Sequence, residues 1–435
     1  MKRILKKIFP PFILSWYHFV LAFVAAAWYR FPSRDLTVIG VTGTNGKSTT
    51  VDMISRIFAE AGIATASLSS IRFQINEKEW RNTLKMTMPG PFFAQRFLRK
   101  AVNAGCTHAV TEVTSEGILQ YRHRFIKFHT AVFTNLSPEH IERHGSFEHY
   151  RQAKGGLFQA AQQVHITNGD DKNSEYFLQF AAREKWIYGL KNSKSEIRNP
   201  KQIPNTKYQI LNIENIQIER NGVEFFVKGT EFHLKLLGEF NAYNALAAIC
   251  VGLSQNIPLE TCKNALENIE KVPGRMELII QKPFWVFVDY AFTPNALEKV
   301  YRTLKELQHI PNTKLVCVLG AAGGGRDKWK RPVLGRIAAS YCDKIIVTNE
   351  DPYDENPTEI IEQVAEGAGE EAEKILDRRE AIGKALHLAG SGDVVVITGK
   401  GSEDSIDVAG GKKIPWDDRE VVREEFRKIH SQETV

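Results

Sequence analysis

From residue 36 onward, short unbroken apolar runs alternate with apolar positions at helical spacing. Residues 36–41, 107–113, 130–136 and 164–168 are runs of the first kind. Bounded by turn residues, such runs predict strands buried on both faces. Residues 48–61 are of the second kind, and Gly62 just beyond them supplies a helix stop. Strands and helices in this alternation predict a doubly wound parallel sheet. Residues 192–235 change character. They are polar, and apolar and polar positions alternate over 208–218 and 223–236, which predicts a small antiparallel β insert. Helical spacing returns at 241–253, and the turn Val272-Pro-Gly-Arg275 reads as a hinge. Beyond it, strands are predicted at 285–289, 314–320, 344–348 and 393–398, with helices between. The expected organisation is α/β throughout: an apolar helical segment at 1–35, a central sheet domain with its insert at 36–272, and a second α/β domain at 273–435. No repeat of 20–50 residues is evident.

The first strand leads into Gly43-Thr-Asn-Gly-Lys-Ser-Thr49 and then a helix. A glycine turn opening a helix after a strand presents backbone N–H groups and a helix dipole to an anion. Lys47 would reach the β- and γ-phosphates of a nucleotide, and the Ser48 hydroxyl would hold Mg²⁺. The spacing is shorter than a strict Walker A motif, because Val41 stands where that pattern has glycine; a plain glycine turn is the alternative. Glu112 ends a strand and is placed to hold the metal of a nucleotide; a surface acid is the competing reading. Two histidines and two glutamates fall within residues 139–144, after another strand. That density suits metal or phosphate chemistry, or a solvated loop.

Residues 12–29 are nearly all apolar, and Lys2, Arg3, Lys6 and Lys7 precede them. A secretory signal would fit this start but would carry an ATP-binding domain away from ATP. A spanning helix is just long enough, yet the basic residues before it would put the catalytic domain on the wrong side. A helix lying in the membrane interface or re-entering it, anchored by Trp16, Tyr17, Trp28 and Tyr29, is the preferred expectation, for a cytoplasmic protein that would attach to the inner membrane face. A helix packed on the protein's own core is the alternative. Net charge is +6, a modest excess that suits anionic small substrates or an anionic membrane, with no basic tract dense enough for nucleic acid. The five cysteines are scattered without a C-x-x-C pair, which predicts reduced structural thiols and no zinc site.

Nine motifs occur in order: Gly43-Thr-Asn-Gly-Lys-Ser48, Glu112-Val-Thr-Ser115, Thr134-Asn-Leu with His140, His144-Gly and Lys154, Gly238-Glu-Phe-Asn-Ala-Tyr-Asn244, Val272-Pro-Gly-Arg-Met-Glu277, Val288-Asp-Tyr-Ala-Phe-Thr-Pro294, Gly325-Arg-Asp-Lys-Trp-Lys-Arg-Pro332, Asp377-Arg-Arg-Glu-Ala-Ile382 and Gly399-Lys-Gly-Ser-Glu403. Over residues 36–430 this set resembles the Mur ligase family, in the branch that makes UDP-N-acetylmuramoyl-tripeptide by adding the third amino acid of the peptidoglycan stem. The resemblance implies a phosphate-loop domain followed by a Rossmann-like domain. It also implies ATP-dependent amide-bond synthesis, in which a muramoyl-peptide carboxylate becomes an acyl phosphate and an amino acid's amine displaces the phosphate. By resemblance, Lys47, His140, Lys154 and Arg275 are the catalytic set. Gly43, Thr44, Asn45, Gly46, Lys47, Ser48, Thr49, Asn241, Asn244 and Asp289 would hold ATP. Ser48, Glu112, His140 and Lys154 would serve Mg²⁺, with Lys154 carbamylated so that a carboxylate-like head replaces a cation facing cations. Thr87, Ser115 and Arg122 match acceptor positions, and Asp351, Gly399 and Glu403 fall in motifs that would meet substrate.

The chain departs from that pattern at several points. About thirty-five residues precede the first strand, where the branch has a UDP-binding domain, so a lipid-linked acceptor becomes an alternative. Glu350-Asp351-Pro352-Tyr353 stands where diaminopimelate-adding enzymes have Asp-Asn-Pro-Arg, which disfavours diaminopimelate. Phe292, Ser402 and Glu116 each replace a histidine of the pattern. Rival readings are a folate polyglutamylating ligase, an enzyme amidating a lipid-linked cell-wall precursor, and a nucleotide-binding scaffold without catalysis.

Overall fold

The computed structural model describes residues 10–190, 206–308 and 313–432. Residues 192–205 of the expected insert, and the four basic positions before the first helix, lie outside the described residues. The first sheet is built from β1 (Thr37–Thr42), β2 (Thr65–Leu68), β3 (Arg72–Ile75), β4 (Lys78–Arg81), β5 (His108–Glu112), β6 (Phe128–Phe133), β7 (Val164–Asn168), β8 (Glu184–Leu190), β9 (Lys207–Glu219), β10 (Gly222–Val227) and β11 (Thr230–Leu234). In space they run β11-β10-β9-β8-β7-β6-β1-β5-β2-β3-β4. β1 lies between β5 and β6, parallel to both. Val38, Ile39 and Val41 are fully buried, because cores cover both faces. One holds Ile54 and Phe58 of helix Lys47–Glu60 with Leu246 and Ile249 of helix Glu239–Ser254. The other holds Phe97 and Leu98 of helix Pro91–Asn103 with Leu157 and Phe158 of helix Phe147–Ala160. This two-sided cover is what parallel strands require.

The alternating segment forms antiparallel β9, β10 and β11, as its pattern predicts. They do not stand apart as a separate insert. β9 pairs in parallel with β8 and continues the main sheet. Leu211 and Ile213 join the core while the intervening positions face out, so a one-residue slip would expose both. The short strands β2, β3 and β4 have no counterpart in the sequence reading; β4 is four mostly exposed residues, three of them charged, too few to show a period.

The second sheet contains β12 (Glu277–Ile280), β13 (Trp285–Asp289), β14 (Leu315–Leu319), β15 (Lys344–Thr348), β16 (Glu373–Ile375) and β17 (Val394–Thr398), in the order β12-β13-β17-β14-β15-β16. All pairs are parallel except β12–β13. Arg378 and Asp418, both essentially inaccessible, form a bidentate pair at 2.7–2.8 Å that ties helix Arg378–Leu388 to the last helix.

Helix Pro11–Trp28 is neither wholly packed nor wholly free. Ala22, Ala25 and Ala26 are buried, Phe19 and Phe23 meet Phe125 edge-on at 5.2 and 5.3 Å, and Ser15 bonds Tyr121 at 3.0 Å. Its other face leaves Phe12, Trp16 and Trp28 71%, 70% and 75% exposed. Among the described residues no helix is long and apolar enough to cross a membrane. The five cysteines are free, with Cys342 only partly buried.

Candidate active site

The C-terminal ends of β1, β5 and β6 open onto one cavity of about 450 Å³, whose opposite wall comes from the second sheet. At its floor, Gly46 adopts a left-handed φ of 83° and starts helix Lys47–Glu60, with no side chain capping that end. The first-turn N–H groups are therefore available to an anion. A Cβ at Gly43 would strike Thr134, and one at Gly46 would strike Asn244, so the loop fits its surroundings only as glycine. Asn135 fastens the loop through its carbonyl to Thr44 N at 2.8 Å and its side chain to Asn45 N at 2.9 Å. Lys47 folds back, donating to the Gly43 and Thr44 carbonyls at 3.1 and 2.9 Å. Burial lowers its pKa, and Glu112 opposes that shift.

Glu112 is completely buried at the end of β5. One carboxylate oxygen accepts from Ser70 N and Oγ at 2.7 and 3.0 Å, and Ser70 Oγ meets Ser48 Oγ at 2.7 Å. Its other oxygen has no partner among the described residues. A buried orphan carboxylate oxygen beside two hydroxyls is a hard-oxygen set that fits Mg²⁺. Among the described residues no three His, Cys, Asp or Glu side chains converge on one metal position.

His140 has a left-handed φ of 57°. Its backbone is held by Asp327 of the second lobe, whose carboxylate accepts from Ile141 N and Glu142 N at 3.2 and 3.1 Å. Burial, then Arg326 and Lys330, push its pKa far down, which keeps the ring neutral, the form in which an imidazole nitrogen can bind a metal. Glu139 beside it accepts from Lys330 at 2.7 Å in a buried pair between the lobes, and its second oxygen is unpartnered among the described residues. Lys154, 2% exposed, donates to Gly43 O at 2.7 Å and lies 4.7 Å from the Tyr150 ring centre. Burial and Lys47 drive its pKa well below the usual lysine value.

Across the cavity, Arg275 reaches Ser48 Oγ at 3.5 Å and stacks 4.5 Å from the Tyr290 ring centre. Asp289 is fixed by Met276 N and Ala291 N at 2.7 and 2.6 Å. Farther along lie Lys85, Glu350, Asp351, Tyr353 and Glu403. Lys400, fully buried, bonds Asp351 at 2.8 Å and Glu403 at 2.5 Å.

Of the residues expected from sequence, the lining contains Gly43, Thr44, Asn45, Gly46, Lys47, Ser48, Thr49, Thr87, Glu112, Ser115, His140, Lys154, Asn244, Arg275, Asp289, Asp351 and Glu403. Arg122, Asn241 and Gly399 stand behind it. Arg122 points to the Met88 carbonyl and Gln120. Asn241 positions Asn244, accepting from its amide at 3.1 Å. Gly399 makes room for Glu350, which a Cβ there would crowd at 2.6 Å. Sequence reasoning did not assign Lys85, Tyr150, Arg326, Lys330, Glu350 or Lys400 a role in the site, although Arg326, Lys330, Glu350 and Lys400 lie in segments it quoted, and it marked Glu139 only as part of the cluster at 139–144.

Residues 41–252 match the Mur ligase middle domain, and residues 274–401 match the Mur ligase glutamate ligase domain. The chain is 36% identical over 437 residues to the UDP-N-acetylmuramyl-tripeptide synthetase of Roseiflexus sp. (strain RS-1), covering 94% of this chain and 82% of that protein. It is 37% identical over 407 residues to the UDP-N-acetylmuramoyl-L-alanyl-D-glutamate–2,6-diaminopimelate ligase of Aquifex aeolicus (strain VF5), covering 92% and 79%. A solved structure of an enzyme with that same ligase title superposes with a TM-score of 0.60 at 28% identity, covering 91% of this chain and 79% of that one. Phosphate loop, orphan acid and two-lobed cavity agree with these matches: the chain belongs to the Mur ligase family of ATP-dependent amide ligases.

Proposed function

We propose that the protein joins the amine of an amino acid to the carboxylate of a muramoyl-peptide acceptor at the cost of ATP, in peptidoglycan precursor synthesis. The observation that carries this reading is one cavity lined by the glycine loop Gly43–Thr49 at its floor and by charged and polar side chains of the second lobe. Residues 36–272 and 273–435 act as its two working units, hinged at Val272–Arg275. Lys47 and the loop amides cradle the phosphates, Asn244 borders the nucleotide pocket with Asn241 behind it, and Asp289 faces the ribose. Ser48, Glu112, His140 and Lys154 are the groups that would hold Mg²⁺, which when bound neutralises charge on the phosphoryl oxygens. Arg275 brings a second positive charge to Ser48 as the lobes meet, and favours charge developing there. Thr87 and Ser115 line the acceptor side, with Arg122 behind them. The acceptor carboxylate takes the phosphoryl group as an acyl phosphate, and the donor amine then displaces phosphate.

Lys154 is carbamylated in this reading. Burial and Lys47 lower the pKa of its amine, which favours the neutral form, and a neutral amine is the form that adds carbon dioxide. The product would turn a buried base beside Lys47 into an anionic oxygen ligand.

The chemistry needs ATP and so runs on the cytoplasmic side. The open face of helix Pro11–Trp28, with tryptophans at both its ends and basic residues Lys2, Arg3, Lys6 and Lys7 before it in sequence, fits an anionic bilayer surface. That face favours an acceptor presented at the membrane as a second reading. Cosedimentation with anionic vesicles checks it: Trp16→Ser with Trp28→Ser should abolish binding, and unchanged binding would refute it. Amine-dependent phosphate release with UDP-muramoyl-dipeptide and, separately, its lipid-linked counterpart tests the main reading. Turnover with neither would refute the ligase assignment.

A further inference from the structure

The segment that carries His140 is tied at its far end within the first lobe and at its near end across the cleft. At the far end of helix Ile141–His144, His144 Nε2 meets Ser115 Oγ at 3.1 Å. At the near end stands Asp327, a buried residue of the second lobe. Its Oδ2 accepts from Ile141 N at 3.2 Å and its Oδ1 from Glu142 N at 3.1 Å. Glu142 returns the contact, its Oε1 accepting from Lys328 N at 2.9 Å. On the other side of His140, Glu139 pairs with Lys330 at 2.7 Å, both side chains buried.

The first N–H groups of a helix need acceptors, and a side chain at the residue just before the helix is the usual source. Here that residue is His140, which lines the cavity and makes no side-chain cap. Asp327 takes over that task from 186 positions away in the chain, and its charge also suits the positive end of the helix dipole. The backbone of His140 needs this support for a second reason. Its φ of 57° and ψ of 27° lie in the left-handed region, which a residue with a Cβ occupies at a cost. Such a conformation persists where the surroundings over-determine it. For His140 those surroundings are the second lobe, fastened to the residues on both its sides. The phosphate loop differs, because Asn135 fastens it from within the first lobe.

We infer that Asp327 is a positioning residue for His140: it supplies across the cleft the helix cap that His140 does not, and so sets the imidazole in place only while the two lobes are together. The inference rests on the ligase reading. It adds that the first lobe alone can bind a nucleotide at its loop, whereas the reacting end is completed by one carboxylate of the second lobe. Asp327 touches neither the nucleotide loop nor the acceptor wall, and its effect runs through His140.

The test combines turnover with amide hydrogen exchange on the full chain. Asp327→Ala should lower kcat about 100-fold, the scale of misplacing a reacting group by about 1 Å, with little change in the KM for ATP. Asp327→Asn keeps a capping oxygen and should return kcat to within about tenfold of wild type. In a His140→Ala background, Asp327→Ala should add nothing, which is the non-additivity of a residue that acts through another. With a non-hydrolysable ATP analogue and Mg²⁺ present, the Ile141 and Glu142 amides should exchange about fivefold faster in Asp327→Ala, the scale of losing a helix cap. The Thr44 and Asn45 amides of the phosphate loop should not change. A full further loss of kcat on top of His140→Ala, or unchanged exchange at Ile141 and Glu142, would overturn the inference while the ligase reading stands. A wild-type chain without turnover would overturn both.

Discussion

Two lysines are buried at the two ends of one cavity, and their surroundings give them opposite fates. Lys154, on the first lobe, has a carbonyl and an aromatic ring for company, with Lys47 nearby as a like charge; its pKa falls far below the usual value. Lys400, on the second lobe, is at least as buried but sits between Asp351 and Glu403, and its pKa rises. Burial alone penalises the charged form in both places, so the partners decide the outcome. The neutral form is thereby favoured at Lys154, and the carbamylation proposed for it draws on that. The charged form is favoured at Lys400, which holds Asp351 and Glu403 together.

The largest effect that separates the two is on turnover. Lys154→Met should lower ligation by about 10³-fold, the scale of losing a key electrostatic group, while the thermal midpoint stays unchanged or rises. NMR with labelled bicarbonate should show a carbamate signal in the wild type that is absent from the variant. Lys400→Met should reverse the pattern. Removing one partner of a buried ion pair costs about 3–5 kcal/mol, so the thermal midpoint should fall, read by calorimetry. A Lys154→Met protein that melts early, or a Lys400→Met protein as stable as wild type, would break the comparison.

At the metal end, Glu112→Gln should weaken Mg²⁺ binding by about 10–100-fold, measured as the Mg²⁺ dependence of turnover; an unchanged dependence would remove Glu112 from the metal set. The smallest effect concerns pH at the second-lobe end. Glu350 faces Asp351, Lys400, Arg378 and Glu403, and it titrates near pH 7. Its pKa is raised above the ordinary 4.5 by burial, so the stability it contributes is present below that value and is lost as pH rises to about 7. Glu350→Gln should flatten the thermal midpoint over that range, and an unchanged slope would argue that Glu350 is not its source.

The phosphate end was the more legible of the two in the sequence. An unbroken apolar strand, two glycines and a Lys-Ser pair are contiguous, and their geometry follows from local backbone chemistry. Glu112 was legible too, because a strand end is a position a pattern can mark. The second-lobe end was marked only through motifs, at Asp351, Glu403 and the loop from Glu350 to Tyr353, without the partners that hold it. Lys85 reaches Asp407 across 322 residues, and at the reacting end Lys330 meets Glu139 across 191; such pairings leave no local periodicity. The burial of Glu350 is visible only in the fold. The same reason explains β4, whose mostly exposed residues are held by pairing with β3 and by Trp80 packing on Phe73 and Phe97 rather than by their own pattern. Arg122 and Asn241, placed by motif in the binding set, do not line the cavity and contact Gln120 and Asn244 instead, a placement that no motif marks.

The most direct test of the central claim is amine-dependent phosphate release from ATP by the full chain with UDP-muramoyl-dipeptide or its lipid-linked form, with the ligated product identified by mass spectrometry. The account predicts phosphate and product in equal amounts, both lost in Lys47→Ala. Phosphate release that needs no amine, or none with either acceptor, would contradict it.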